Sequence, residues 1–259
     1  MNTKGWSASA TSRCVLRLVA GVDWHDTHLV DVGAGRGHLV HALGEYLKAR
    51  GLNPAEHLSA CDLIPDSFAY EEIACGQIYP DGRLPFPDES FEIVVSIEVI
   101  EHVENQFFFW RELARIAKPG AMVIVTTPNV LNINSRLRSL FTGFPLLFEP
   151  LPLDGHDPRR LSGHIHPVTP YYLAYGALRA GLKAPSFLAD RVKASAVALG
   201  LLAWPFLWLG RVRHRLRWQR KQPAILDQNR TLLAAQNGWA LLTSRTAVLA
   251  TRKPTGERG

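Results

Sequence analysis

Three glycines at every second residue follow a short apolar segment in the stretch "LVDVGAGRGHLV", residues 29–40. Glycine at positions 33, 35 and 37 lets the backbone turn sharply out of a strand, and a ligand can approach the main chain because no Cβ is present. The following apolar run predicts a helix that begins near Arg36, whose free N–H groups and positive dipole end favour an anionic group. The stretch therefore predicts a strand, a loop and a helix that bind a nucleotide phosphate or an amino-acid carboxylate. Packing alone is a second explanation for such a loop.

The first 130 residues alternate between predicted strands and predicted helices. Strands are expected at 27–33, 56–63, 90–97 and 121–129, and helices at 9–20, 37–51 and 105–120. Further along, a helix at 169–182 with Thr169 as its N-cap, a strand at 182–189 and a last strand within 239–253 are expected. This alternation predicts an α/β, Rossmann-like doubly wound sheet flanked by helices, and ligands of such sheets bind at the carboxyl ends of the strands.

The acid at the end of the second predicted strand narrows the choice of ligand. Asp62 is positioned to accept two hydrogen bonds from a ribose diol, which both dinucleotides and S-adenosylmethionine carry. A dinucleotide fingerprint requires its third glycine at position 38, where this chain has His38. The chain also lacks a Tyr-x-x-x-Lys pair, so a nicotinamide-dependent oxidoreductase is disfavoured.

The G-x-G-x-G loop with Asp31 two residues ahead resembles motif I of the class I S-adenosylmethionine-dependent methyltransferases. Three further segments resemble this family in the same order along the chain: residues 82–105 with the ending "EVIEHV", residues 113–129 with a Lys-Pro-Gly turn, and residues 163–182 with "HIHPVTP". The E-V-x-E-H-V ending is similar to the branch that contains ubiquinone-pathway and glycan O-methyltransferases. The resemblance covers about residues 25–190 and the last strand.

The resemblance implies S-adenosyl-L-methionine as cofactor and a mostly parallel sheet whose last strand is antiparallel. It also implies roles for particular residues. Asp62 would bind the ribose, and Leu63 would lie beside the adenine. The residues around the methionine half of the cofactor would be Asp31, Gly33, Ala34, Gly35 and Gly37. The methyl-transfer face would be lined by Ser96, Ile97 and Glu98. The adenine amine would contact Gln77 or Asp81, and the sequence does not decide between them.

Histidines are the candidate catalytic residues. Methyl transfer from a sulfonium depends mainly on alignment in a dry site, but an alcohol or phenol acceptor must also lose a proton, and a histidine with a pKa near neutrality is a suitable base. His102 is the first candidate because it follows the fourth strand, and His164 and His166 come next. A purely structural role for His102, in capping or packing, stays open.

A metal site is not expected from the sequence. Residues 154–166 contain Asp154, His156 and Asp157 together with the two later histidines, but no ligand-spaced helix is present. We therefore interpret this stretch as a solvated loop. It belongs to a proline-rich region, 130–168, that is expected to form a lid or acceptor loop within one domain spanning residues 1–259.

Three cysteines without a C-x-x-C pair, together with the absence of an early apolar segment of signal-peptide length, predict a cytoplasmic protein. The net charge of +6 is concentrated in one insert, residues 191–221, which has eight positive charges and no acid. Without these eight charges the net charge would be −2. The basicity therefore indicates a local anionic partner.

The insert begins with an uncharged run, residues 194–210, followed by "RVRHRLRWQRK". Seventeen helical residues would extend about 25 Å, less than the roughly 30 Å hydrocarbon core, and Pro205 is expected to interrupt the helix. We expect peripheral contact between 194–221 and an anionic membrane at its cytoplasmic face. A helical hairpin packed on the domain or on a second subunit is the alternative, and nucleic-acid binding is disfavoured because the aromatic residues lie within an apolar run.

Together these features predict a methyltransferase that acts on a membrane-associated acceptor through O-methylation. Acceptors that fit are a lipid-linked glycan, a glycolipid or a quinone-like molecule. The alternative is a catalytically inactive, membrane-associated scaffold that retains the fold. The oligomeric state is left open.

Overall fold

The structure, a computed structural model, describes residues 9–153 and 163–256. A single sheet of seven strands organises them. In chain order the strands are β1 (Leu29–Val32), β2 (Leu58–Asp62), β3 (Cys75–Gln77), β4 (Phe91–Ile97), β5 (Ala117–Pro128), β6 (Ser186–Ala189) and β7 (Thr246–Arg252). Their spatial order is β3-β2-β1-β4-β5-β7-β6, and β7 is antiparallel to both of its neighbours whereas β1 to β5 pair in parallel. The predicted Rossmann-like sheet with an antiparallel last strand is confirmed.

Helices cover both faces of this sheet. They are α1 (Ser9–Val19), α2 (His38–Lys48), α3 (Pro54–His57), α4 (Gln106–Ile116), α5 (Ile133–Thr142), α6 (Pro170–Arg179), α7 (Ala194–Lys221), α8 (Pro223–Gln228), α9 (Arg230–Gln236) and α10 (Trp239–Thr243). Short 3-10 turns occupy Pro65–Ser67 and Ile100–His102.

The strand alternation divides the core into two layers. Val30 and Val32 of β1 pack in one cluster with Trp110 of α4 and Leu173 of α6, while Leu29 packs in the other with residues of α1 and α2. Because successive side chains of a strand point to opposite faces, Asp31 lies on the side of α1 and α2. The carboxyl ends of β1, β2 and β4 meet at one edge of the sheet, where the ligand site was expected.

The region 130–168 contains more helix than the sequence predicted. Helix α5 begins after Asn132, whose side chain accepts a hydrogen bond from the Asn134 N–H, and ends at Gly143 with a φ of 79°. The prolines that suggested a loop come after this helix, which explains the difference.

The C-terminal elements also differ from the prediction. The stretch 239–253 starts as α10 and becomes strand only at Thr246, because the apolar run that begins at Trp239 fits either element. Helix α7 continues through Pro205, against the expected interruption. Pro205 lies on an exposed face, so the carbonyl that loses its helical partner can be hydrated.

One described helix, α7, is long and apolar enough to cross a membrane by length and composition. Only 11% of its most apolar 18-residue window is buried in the protein. Its buried residues are Ala196, packed with Ile133 and Leu242, and Gly200, against which Trp239 packs. Most of α7 is therefore not covered by the residues that the structure describes.

Candidate active site

The three loop glycines all adopt left-handed backbone conformations, with φ of 76°, 53° and 80° at Gly33, Gly35 and Gly37. A Cβ on Gly33 would lie 2.4 Å from Val99 Cγ2, and one on Gly37 would lie 2.7 Å from the Phe68 ring. At Gly35 a Cβ would meet no atom within 4 Å. The outer glycines are therefore required by packing as well as by φ, whereas Gly35 faces open space that a ligand can occupy.

Asp62 holds this loop in place. Its Oδ2 accepts a hydrogen bond from the Gly35 N–H at 2.8 Å, and its Oδ1 accepts one from the Ile64 N–H at 2.8 Å. The carbonyl of the preceding Cys61 accepts from the N–H groups of both Gly33 and Ala34. A carboxylate oxygen can accept more than one hydrogen bond, so Asp62 keeps capacity for ribose hydroxyls, and that contact stays a prediction. The bonds to the loop were not anticipated from the sequence.

Asp31 lies buried beneath the loop. Burial raises the pKa of Asp31 to about 7, and the negative charge of the neighbouring Asp62 acts in the same direction. A cationic group beside it would favour the ionised form. The predicted contact with the methionine half of the cofactor, which carries an ammonium group, fits this electrostatic environment and stays a prediction.

The predicted adenine contacts lie at the ends of β2 and β3. Leu63 is partly exposed and lines a cavity of about 990 Å³, which Asp81 also lines. The Asp81 carboxylate accepts from Arg83 Nε at 2.7 Å, and its hydrogen bonds with Arg83 hold the pKa of Asp81 below its usual range. The Gln77 amide donates to the carbonyls of Leu63 and Ile78. Asp81 therefore lies at the cavity wall, while Gln77 uses only its NH2 group for the backbone and keeps its carbonyl oxygen as a possible acceptor, so the choice between the two stays open.

The residues that end β4 have different environments. Ser96 is fully buried and its hydroxyl donates to the Val32 carbonyl at 2.9 Å, so it joins β4 to β1 and cannot line an open pocket as predicted. Ile97 is half-buried. Glu98 has a φ of 54°, uncommon for a residue with a Cβ, and its Oε1 accepts from the Thr246 hydroxyl at 3.3 Å. Burial raises the pKa of Glu98.

The histidines come together where a distant segment returns to the end of β4. The rings of His102 and His164 lie 4.8 Å apart between centroids. His102 Nδ1 is 2.9 Å from the Gly163 carbonyl, and His166 Nδ1 is 2.8 Å from the Val103 carbonyl. His102 and His164 line the cavity of about 990 Å³, and burial lowers the pKa of both rings, which keeps them neutral. His166 is beside this pair but bonded to a different part of the chain.

Glu101 is a member of this cluster that the sequence analysis did not select. Its backbone carbonyl accepts from the N–H groups of Ile165 and His166, both at 3.0 Å. Its side chain is 0% exposed, and neither carboxylate oxygen has a hydrogen-bond partner among the described residues. Burial raises the pKa of Glu101 to about 8. The adjacent Glu-His pair in "EVIEHV" was the available signal, whereas Asp154, His156 and Asp157 lie outside the described residues.

Val99 connects the two halves of the site. Its side chain packs against Gly33 and also lines the cavity that contains His102 and His164. The cavity therefore extends from Leu63 and Asp81 to the histidine pair, and Val99 lies between it and the glycine loop. A cavity large enough for a cofactor therefore lies beside the imidazole rings of His102 and His164, which can accept or donate a proton.

Residues 30–125 match a family model described as a methyltransferase domain. The segment from β1 to β5 is therefore similar to the methyltransferase domain of class I S-adenosylmethionine-dependent enzymes. It is 30% identical over 117 residues to norajmaline N-methyltransferase of Rauvolfia serpentina, an overlap of 44% of this chain and 40% of that protein. It is 32% identical over 103 residues to a probable tocopherol O-methyltransferase of Oryza sativa, and this overlap covers 38% of this chain and 28% of that protein. The chain thus spans at most about two fifths of the length of these relatives.

The fold is shared over a longer stretch. A structure of a SAM dependent methyltransferase from Archaeoglobus fulgidus superimposes with a TM-score of 0.53 at 13% identity, covering 93% of this chain and 92% of that one. S-adenosyl-L-methionine is the methyl donor of this family. The open space at Gly35, the buried acid beneath it and the capacity of Asp62 for further hydrogen bonds fit this cofactor.

Proposed function

We propose that this chain transfers a methyl group from S-adenosyl-L-methionine to a hydroxyl oxygen of a membrane-associated amphiphile. A lipid-linked glycan, a glycolipid or a quinone-like molecule has the required chemistry. The observation that carries the proposal is the composition of the cavity: one end is the histidine pair, and its outer wall includes Leu147, Leu151 and Leu153, of which Leu153 is 99% exposed. An apolar entrance leading to a polar end suits a substrate with a lipid part and a hydroxyl.

The chain's contribution to cofactor binding comes from backbone and carboxylate groups. S-adenosyl-L-methionine supplies an electrophilic methyl group. The glycine loop offers N–H groups and open space, Asp62 offers ribose acceptors, and the buried Asp31 offers negative charge near the amino-acid part. Leu63 and Asp81 line the cavity, and we assign the adenine to their end of it, with Gln77 or Asp81 as the partner of its amine.

The chain's contribution to the acceptor comes from the cluster of Glu101, His102 and His164. A carbonyl oxygen only accepts hydrogen bonds, so the contact with Gly163 fixes the proton on Nδ1 of His102 and leaves a lone pair on Nε2. That lone pair is suited to orient a hydroxyl and to take its proton. An oxygen acceptor needs such a base more than an amine does, which is why we favour oxygen although one relative is named for nitrogen.

Exposed apolar side chains lie on α5 and α7, and α5 is connected to the loop that lines the cavity. The loop after α5 folds back along that helix, with Arg138 paired to Glu149 and the Leu146 N–H donating to Ser135 Oγ. Helix α5 in turn packs on α7 through Leu137. Large apolar side chains are exposed on these two helices: Leu140, Phe141, Leu201, Leu202, Phe206, Trp208 and Leu209. Exposed apolar area of this extent is typical of a docking surface, and we assign it to the lipid phase.

Basic groups border the apolar surface on α7. Arg213, Arg215 and Arg217 follow the apolar half of the helix without an acid nearby in sequence. A second cavity of about 790 Å³ lies between α7 and the helices α8 and α9, and Arg136 and Arg211 are among its lining residues. Arginines beside immersed aromatic residues suit the phosphates of an anionic leaflet. We propose peripheral docking at the cytoplasmic face of a membrane.

Vesicle sedimentation tests the docking. Full deletion of α7 would expose the packing partners of Ala196, so point variants are preferable. With phosphatidylglycerol vesicles, replacing Arg213 and Arg217 by Gln should weaken binding roughly tenfold to thirtyfold, since each basic residue contributes about 1 kcal/mol. The matched control replaces exposed Arg179 and Lys183, which lie outside α7, by Gln and should leave binding unchanged. Equal binding of both double variants and the wild type would contradict the proposal.

The alternative of an inactive scaffold with the same fold makes a different prediction. It expects no binding of S-adenosyl-L-methionine or S-adenosylhomocysteine by the purified protein. The left-handed glycines and the loop-holding Asp62 argue for a maintained cofactor pocket. Calorimetric titration with both compounds separates the two functions.

A further inference from the structure

The cluster at the end of the cavity contains buried polar atoms without a hydrogen-bond partner among the described residues, although the Thr127 hydroxyl lies near the Glu101 carboxylate and favours its ionised form. Both carboxylate oxygens of Glu101 and Nδ1 of His164 are buried and lack a hydrogen-bond partner among the described residues. An unpaired buried polar atom costs about 1–3 kcal/mol, so native proteins seldom retain one without a reason. Three such atoms on two neighbouring side chains indicate a missing ligand.

The cluster also has the spacing of a coordination site. One donor atom from each of Glu101, His102 and His164 lies within 4.8 Å of the other two. Ligands held about 2.0–2.2 Å from a common ion lie about 3–4 Å apart, so a contraction of about 1 Å would complete the site. Glu98 adds negative charge close to Glu101.

The hydrogen bonds around the histidines match those of metal ligands. Ligating histidines almost always donate their second ring N–H to a carbonyl, a carboxylate or water. His102 donates Nδ1–H to the Gly163 carbonyl, and the backbone of Leu147 lies near the His164 ring and favours its protonated form. Leu147 itself has a φ of 72°, so a residue in an unfavourable conformation supports the cluster.

We propose that Glu101, His102 and His164 bind a divalent transition-metal ion, with the open coordination positions facing the cavity. Two imidazoles and one carboxylate favour ions of the Mn²⁺ to Zn²⁺ series over Mg²⁺ and Ca²⁺, which prefer oxygen ligands. His102 and His164 line the cavity, so the open positions are reachable from it.

The site deepens the proposed function, and its consequence for catalysis rests on that function. A cation lowers the pKa of an oxygen that it contacts, so an acceptor hydroxyl in the cavity would release its proton to solvent more readily. With the ion bound, the lone pair of His102 serves the ion and no longer acts as a base. The binding of the ion does not depend on methyl transfer and is measured separately.

Cobalt titration tests the site on the full chain after treatment with a chelator. The visible absorbance of Co²⁺ should saturate at one equivalent per chain. Glu101→Gln, which keeps the shape of the side chain but removes its charge, should weaken Co²⁺ binding at least tenfold, and His164→Gln should do the same. The control His25→Gln, an exposed histidine that precedes β1, should bind as the wild type does.

Two further measurements keep the outcomes distinct. Near-ultraviolet circular dichroism establishes that each variant is folded, and titration with S-adenosylhomocysteine should give the wild-type affinity for Glu101→Gln. If the wild type did not bind S-adenosylhomocysteine, the proposed function would be contradicted but the metal site would not. Absence of stoichiometric Co²⁺ binding, or equal Co²⁺ affinity in the wild type and both cluster variants, would overturn the metal site.

Discussion

Replacing Gly35 by alanine separates the ligand-facing role of the loop from its role in folding. The φ of 53° imposes a cost on any residue with a Cβ, about 1–2 kcal/mol. No atom lies within 4 Å of the added methyl group, so no clash is added to this strain. For a chain of this size the melting temperature should fall by roughly 2–8 °C, and the protein should remain folded.

Cofactor affinity should respond far more than stability does. If Gly35 faces the cofactor, the methyl group occupies volume that the ligand needs, and we expect the dissociation constant for S-adenosylhomocysteine to rise at least tenfold, about 1.4 kcal/mol. Gly51 has a φ of 75°, a Cβ added there would meet no atom within 4 Å, and it follows the end of α2 away from the cavity. Gly51→Ala is therefore the matched control.

The assay is calorimetric titration combined with thermal unfolding for the wild type and the two alanine variants. Gly51→Ala should lose a similar amount of stability and keep wild-type affinity. Gly33→Ala should lose more stability, about 2–5 kcal/mol, because its Cβ would also collide with Val99. Wild-type affinity in Gly35→Ala would refute the assignment of the loop's open side to the cofactor.

Two more predictions concern buried charge. Burial raises the pKa of Asp31 from 3.8 to about 7, so the folded chain holds a proton that the unfolded chain releases, and stability falls as the pH rises through this window. Between pH 5 and pH 8 the free energy of unfolding of the ligand-free wild type, measured with urea, should fall by roughly 2–3 kcal/mol more than that of Asp31→Asn. An equal fall in both proteins would contradict this pKa. Arg115 forms two hydrogen bonds with the nearly buried Glu112. Arg115→Met should therefore lower the free energy of unfolding by about 3 kcal/mol in the same assay. The control is Arg111→Met at an exposed neighbour, which should change the free energy of unfolding by no more than about 0.5 kcal/mol. An equally small change in Arg115→Met would show that the pair is unimportant for stability.

The loop glycines could be predicted because their cause is local. A sharp turn at alternating glycines after an apolar strand needs only the backbone freedom of glycine, and all three positions adopt a positive φ. The mostly parallel sheet and its antiparallel last strand followed from the resemblance and were confirmed. These strands and helices are short segments, and the sequence pattern of each one can be recognised without knowing its partners in the fold.

The cluster around Glu101 could not be predicted because its cause is distant in the chain. Residues 163–166 return to the end of β4 and bond to Glu101, His102 and Val103, some sixty positions away. The sequence suggested the histidines through their chemistry but contained no indication that a carboxylate beside them would be left without a partner. Similarly, Ser96 was expected at a ligand surface, and only its bond to the Val32 carbonyl revealed its structural role.

The continuity of α7 is a further case in which a local rule was overridden. Pro205 removes one backbone hydrogen bond from α7, but it lies on an exposed face of the helix, where its ring displaces no packed neighbour. The uninterrupted apolar and basic helix is the surface to which the proposed membrane docking is assigned.

The most direct test of the proposed function follows the label from methyl-tritiated S-adenosyl-L-methionine into an extract that contains membranes. We expect protein-dependent label in the organic phase, stable to mild alkali as an ether is, and its loss in Asp62→Ala. Label confined to water-soluble amines, or no transfer to any fraction by a protein that binds the cofactor, would contradict methylation of a membrane-associated hydroxyl.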